Sequence, residues 1–143
     1  MITRFTDADV ADQSGKTFFI TGANTGLGFE TAKVLAAKGA RVLLGCRTRS
    51  KAEDAVAKIR AESPDADLEI IDIDLGDLAT VRAAAARVAE EPRLDGLINN
   101  AGIMVPPRQL TKDGFESQFG VNHLGTFALT GLLLSKLEET PGS

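Results

Sequence analysis

Four short apolar runs constrain this chain more than anything else in it: TFFIT at Thr17 to Thr21, RVLLGC at Arg41 to Cys46, LEIIDIDL at Leu68 to Leu75 and LDGLINN at Leu94 to Asn100. The first two carry apolar residues on both faces, the pattern of strands covered from above and below. LEIIDIDL alternates more, with Glu69 marking one exposed face, as an edge strand does. Helical stripes separate these runs, and strands alternating with helices through short loops give right-handed βαβ units in a parallel sheet.

The stripes carry their own punctuation. Leu27, Thr31, Val34 and Leu35 fall at helical spacing and Gly39 follows as a stop. Ala52, Ala55, Val56 and Ile59 line a second helix that Pro64 ends, with Lys51, Glu53, Asp54, Lys58 and Glu62 outside. Asp77 is placed to cap a third, whose inner face is Leu78, Val81, Ala85 and Val88, stopped by Pro92. Asp113 to Leu137 reads as a fourth, apolar nearly all round and so expecting cover on more than one side, with Gly120 and Gly125 as places to bend. The expectation is one domain over residues 1–143: an α/β, Rossmann-type doubly wound parallel sheet, incomplete, with its first four strands and their helices.

Charge and composition then exclude functions. Sixteen Lys and Arg against twenty Asp and Glu give a net charge of −4, so the basic footprint of a nucleic-acid binder is absent. Ser117 to Ser135 is uncharged over 19 positions, but its polar residues and glycines fit a buried helix better than a membrane span. One Cys and one His build neither a disulfide framework nor a metal cage, so no metal is expected. The leader MITRFTDADVAD is acidic where a secretory leader is basic and then apolar, and with a single cysteine this points to the cytoplasm.

The chemistry concentrates where strands end. The first strand runs into Thr21-Gly22-Ala23-Asn24-Thr25-Gly26-Leu27-Gly28 and then a helix. Glycines there let backbone approach a pyrophosphate, and the unpaired N–H groups of a helix start hold its charge. The spacing is G-x-x-x-G-x-G rather than G-x-G-x-x-G, and three glycines in a βα turn also serve structure alone. At the end of the second strand an acid would mark the ribose of NAD, whereas an arginine accommodates a 2′-phosphate. Here Cys46 stands in the acidic position and Arg47 follows it. Arg47 and Arg49 also read as solvated residues at a helix start, although the helix dipole disfavours cations there unless an anion joins them.

With these residues in view the sequence resembles the short-chain dehydrogenase/reductase family, in its retinol-dehydrogenase-like, NADP-preferring form, from about Lys16 to Leu137. Asp74-Leu75, the NNAG of Asn99 to Gly102 and the NHLG of Asn122 to Gly125 match that family in order and context. The resemblance implies that Gly22, Asn24, Thr25, Gly26, Leu27 and Gly28 bind the pyrophosphate and adenosine ribose of NADP(H). It implies that Arg47 meets the 2′-phosphate and that Asp74 and Leu75 flank adenine. Asn100, Ala101 and Gly102 would lie along the cofactor and brace the sheet. Asn122 corresponds to the asparagine of the catalytic tetrad, which helps hold a water in the proton relay; on its residue type alone it reads equally as a helix-bend residue bonded to backbone. His123 reads as a packed residue.

The family's serine and Tyr-x-x-x-Lys belong to a fifth strand and the next helix, and this sequence contains no tyrosine. The expected activity is NADP-dependent interconversion of a small apolar alcohol and a carbonyl compound, with these 143 residues inactive alone until completed by a C-terminal half. The alternative is a non-catalytic NADP-binding or partner-binding module. The family also pairs copies through the helix matching Asn122 to Leu137, so a homo-oligomer is compatible. A nucleic-acid or membrane role has only the arginine cluster and the uncharged helix behind it.

Overall fold

The computed structural model describes residues 5–143; the first four residues of the acidic leader lie outside the described residues. Four parallel strands, β1 (Thr17–Thr21), β2 (Arg41–Cys46), β3 (Leu68–Asp72) and β4 (Gly96–Ile98), lie in the order β3-β2-β1-β4. Phe19 sits opposite Leu43 and Leu97, and Ile20 opposite Leu44 and Ile98, so the register is in step across the middle of the sheet. The chain crosses from β3 over β2 and β1 to reach β4, which puts the reversal of strand order between β1 and β4. In open α/β sheets that reversal is where a crevice opens beyond the carboxyl ends of the strands.

Helices cover both faces. α1 (Gly26–Ala37) and α2 (Arg49–Glu62) enclose a core of Ile20, Val42, Leu44, Ala32, Ala55 and Ile59. α3 (Leu78–Ala89) and the later α5 (Thr126–Glu139) enclose the other, of Phe19, Leu43, Val81, Val88, Leu129 and Leu133. Consecutive residues of one strand thus serve opposite cores, which is why TFFIT and RVLLGC show no polar face. The expected stops are present: Gly39 takes φ +87° after α1, and α2 ends at Glu62 before Pro64. Asp77 caps α3 by accepting the Ala79 N–H at 3.0 Å.

Three boundaries differ from expectation. β3 ends at Asp72 because the chain turns where β2 ends: Ile73 N–H donates to the Cys46 carbonyl, and Asp74 Oδ1 then accepts the Gly76 N–H at 2.8 Å. β4 is only Gly96–Ile98, paired with β1 on one side. The last helix begins at Ser117 rather than Asp113. Thr111 to Phe115 closes a turn through Gly114 at φ +85°, and Glu116 caps the helix by accepting the Gln118 and Phe119 N–H groups. From there α4 (Ser117–Phe119), a π-helical stretch (Gly120–Gly125) and α5 run on with helical dihedrals at each junction. The wide turn starts and stops at the two glycines expected to bend the helix. A β-carbon on Gly120 would collide with the Thr111 methyl, and one on Gly125 with the Leu75 carbonyl. Cover on more than one side is not found among the described residues: Leu129 and Leu133 are buried, while Phe119, Phe127, Leu132 and Leu134 are about half exposed or more.

Candidate active site

A cavity of about 340 Å³ opens at the carboxyl ends of the strands, in the crevice between β1 and β4. Nine of the residues expected from sequence line it: Gly22, Asn24, Thr25, Arg47, Asp74, Leu75, Asn100, Ala101 and Gly102. Gly26, Leu27, Gly28 and Asn122 do not. Leu27 is 81% exposed, and Gly28 lies beneath the loop it supports. Sequence reading missed five lining residues: Thr21, Gly45, Ile73, Ile103 and Val121. Thr21 stood inside the glycine motif and Ile103 directly after NNAG, so adjacency could have found both; Val121 arrives only by tertiary packing.

The glycine turn is shaped by what it meets. Gly22 takes φ +67°, and a β-carbon there would sit 3.0 Å from the Ala101 α-carbon. A β-carbon on Gly28 would collide with Asn100 Nδ2 and lie 2.5 Å from the Gly22 carbonyl oxygen, so α1 packs onto the turn and the Asn100 amide with no room for a side chain of its own there. Gly26, at φ +58°, faces open space. Thr25 precedes α1 in extended backbone, but its side chain makes no capping bond. The starts of α1 and α2 both lack a side-chain cap, whereas carboxylates cap α3 and α4; of the two, α1 follows directly on the glycine turn.

The NNAG segment is fastened to β1. Asn100 Nδ2 donates to the Thr21 carbonyl at 3.0 Å and to the Gly22 carbonyl at 3.3 Å. Thr21 Oγ1 accepts the N–H groups of Asn100 and Ala101, both at 3.1 Å. One hydroxyl thus closes the end of β1 against the end of β4 and leaves the backbone lining the cavity fixed. Asn122 has both ends of its amide committed: Oδ1 accepts the Ile103 N–H at 2.8 Å and Nδ2 donates to the Ile103 carbonyl at 2.7 Å. In this structure its side chain braces a loop and is not aimed into the cavity.

The three arginines of RVLLGCRTRS separate sharply. Arg41 is bound to Glu91, Glu69 and Asp67 at the opposite end of the sheet. Arg49 pairs with Asp72 at 2.7 Å and with Glu53 at 3.6 Å. Arg47 lines the cavity, is exposed, and among the described residues has no ion-pair partner. Beside it Cys46 is buried, and burial pushes its thiol up to about 11 against hydrogen bonds from the Ala23 and Asn24 backbone. It is a neutral packing residue at the place where an acid would repel a phosphate.

Such a crevice, with a glycine turn, an uncapped helix start and an arginine without a partner among the described residues around it, has the layout of dinucleotide-binding α/β domains. The comparisons with known proteins narrow this. A family profile described as short chain dehydrogenase matches residues 16–143, and the chain belongs to that family. It is 52% identical over 127 residues to mouse (Mus musculus) retinol dehydrogenase 12, covering 88% of this chain and 40% of that protein. Among solved structures, an uncharacterized protein from Mycobacterium paratuberculosis superposes with TM-score 0.83 at 46% identity, covering 94% of this chain and 47% of the other. A short chain dehydrogenase from Shigella flexneri complexed with NADP gives TM-score 0.75 at 27% identity, over 90% of this chain and 56% of the other. The chain thus spans about two-fifths to a little over half of the proteins it matches. Among the described residues, no helix is long and apolar enough to cross a membrane, and no cluster of His, Cys, Asp and Glu is arranged to hold a metal ion.

Proposed function

We propose that this chain is the cofactor-holding part of an NADP-dependent oxidoreductase that interconverts a small apolar alcohol and a carbonyl compound. The observation that carries the proposal is Arg47, a guanidinium on the cavity rim with no ion-pair partner among the described residues, beside the neutral Cys46. Guanidinium groups bind phosphate through paired N–H donors, and a carboxylate at the same strand end would instead select a free 2′-hydroxyl. The cavity fits the dinucleotide on its own terms: a β-carbon at Gly22 would crowd Ala101, and the start of α1 has no side-chain cap. NADP(H), when bound, supplies the hydride.

The residues divide the remaining work. Gly22, Asn24, Thr25, Gly26, Leu27 and Gly28 form the turn and helix start for pyrophosphate and ribose. Arg47 takes the 2′-phosphate. Asp74, held by its own bond to the Gly76 N–H, and Leu75 flank the adenine. Asn100, Ala101 and Gly102 lie along the cofactor on the wall that Thr21 fastens. Asn122 fixes Ile103 with its side chain, which leaves a water of the proton relay to its main chain. The sequence holds no tyrosine to move the substrate proton, so we expect nucleotide binding without turnover from these 143 residues alone. A non-catalytic NADP-binding or partner-binding module is the second reading, and the exposed apolar residues Phe127, Leu132 and Leu134 of α5 favour it.

A fluorescence titration of the purified chain with NADPH and NADH tests the cofactor, and NADPH oxidation with a panel of apolar aldehydes tests turnover. NADPH is expected to bind more tightly, and Arg47→Gln to weaken it about tenfold while leaving NADH and the melting temperature unchanged. Equal affinity for the two nucleotides in both proteins would overturn the assignment. Aldehyde-dependent oxidation above a no-protein control would overturn the expected inactivity.

A further inference from the structure

After β4 the chain passes along the cavity through Gly102 and Ile103 and then exposes Met104 and Val105, at 87% and 85%. Val105 has φ +49°, the one non-glycine residue with positive φ among the described residues. A β-branched residue is a steric outlier there. Pro106 follows it and restricts its backbone further. Such a conformation persists only where the surroundings impose it.

Gln118 is the group positioned to impose it. Its Oε1 accepts the Val105 N–H at 2.8 Å. One helical turn later Asn122 takes both backbone groups of Ile103. Residues four apart share a helix face, and these two reach Ile103 and Val105, two residues apart on the loop. One face of the α4 and π-helical rod therefore reads the loop through two side-chain amides, at alternate residues. The Glu116 cap, which accepts the Gln118 and Phe119 N–H groups, fixes the start of that rod.

We propose that Gln118 is a positioning residue for the cavity: by holding Val105 in its left-handed conformation it fixes the wall formed by Gly102 and Ile103 and directs Met104 and Val105 as an apolar lip. Nothing in the sequence motifs assigns Gln118 a role. The effect on nucleotide rests on the cofactor reading above; the effect on the loop does not.

Three variants of the 143-residue chain test it. Gln118→Leu keeps the shape and removes the acceptor, Gln118→Glu keeps an acceptor, and Gln118→Leu with Val105→Gly removes the steric cost as well. Backbone amide exchange at Ile103 and Val105, whose N–H groups are hydrogen-bonded, is measured beside NADPH affinity, with circular dichroism as the check of fold. In Gln118→Leu, exchange at both amides and the NADPH dissociation constant are expected to rise about fivefold, the loss of one hydrogen bond. Gln118→Glu should match the parent, and the double variant should bind NADPH within about twofold of it, since glycine takes positive φ freely. Parent-like exchange at Ile103 in Gln118→Leu overturns the proposal, and so does faster exchange with unchanged affinity. If the parent itself takes up no NADPH, the cofactor reading fails separately, and exchange at Ile103 alone decides the role of Gln118.

Discussion

The two ends of the same four strands are built on opposite principles. At the amino ends Arg41 from β2 and Arg87 from α3 share Glu91 and Glu69, with Glu91 buried. Asp95 adds a second knot, paired with Arg93 and accepting the Thr17 N–H at 2.8 Å. At the carboxyl ends there is a cavity, a glycine-rich turn and an arginine with no partner among the described residues. Closed charge networks suit a place where nothing needs to enter. Groups left unsatisfied by the fold suit a place where a ligand completes them.

The largest effect should come from filling the open end. Gly28→Val puts a β-carbon 2.5 Å from a backbone oxygen that has no side-chain freedom to retreat, so α1 must shift away from the glycine turn. We expect NADPH binding to fall below detection and the chain to lose about 2 kcal/mol of stability, within the range for overpacked sites. Titration and chemical denaturation report the two losses separately. Unaltered NADPH affinity would mean that this turn is not where nucleotide sits.

The closed end should answer differently. Glu91→Gln keeps the shape and removes the charge that two arginines share, so we expect about 2 kcal/mol of destabilisation at neutral pH with NADPH affinity retained. The hydrogen bond from Arg41 holds the Glu91 carboxyl below the ordinary carboxylate range, ahead of the attraction of Arg41 and the contribution of Arg87, and against burial. A carboxylate depressed in the folded state contributes stability that is complete above its unfolded pKa and is lost as pH falls through its folded pKa. The gap in melting temperature between parent and Glu91→Gln should therefore be constant near neutrality and shrink below about pH 4.5. A gap that widens with acid would contradict the sign.

These two ends were unequally legible in the sequence. The open end announced itself because its parts are contiguous: Thr21 to Gly28 is one turn, and Asn99 to Gly102 another. Stops such as Gly39 and the Asp77 cap were legible for the same reason, since each acts on its own helix. The closed end was silent, because Arg41 and Glu91 lie 50 residues apart and neither belongs to a local pattern. Asp113 to Phe115 read as helix because nothing local separates a helical glycine from Gly114, whose left-handed turn is fixed by Thr111 and Phe115 meeting across it. The π-helical stretch is a milder case. The two glycines suggested bending, but the need for them lies in Thr111 and Leu75, which only the fold brings near.

The smallest effect sharpens the comparison most, because it sets one arginine against its neighbour. Arg49 is two residues from Arg47 and equally charged, yet it holds Asp72 at 2.7 Å on an exposed surface. Exposed pairs contribute little, so Arg49→Ala should change stability by no more than about 0.5 kcal/mol. Its effect on NADPH tests whether the rim acts through general positive charge or through a particular guanidinium. A diffuse field would make Arg49→Ala weaken NADPH nearly as much as the loss of Arg47 and would fade with added salt. A fitted site would leave NADPH affinity within about twofold in Arg49→Ala, because the charge of Arg49 is already matched by Asp72 and Glu53 and it does not line the cavity. The second outcome is the one the ion pairs support, and titration of both variants at low and moderate salt distinguishes it from the first.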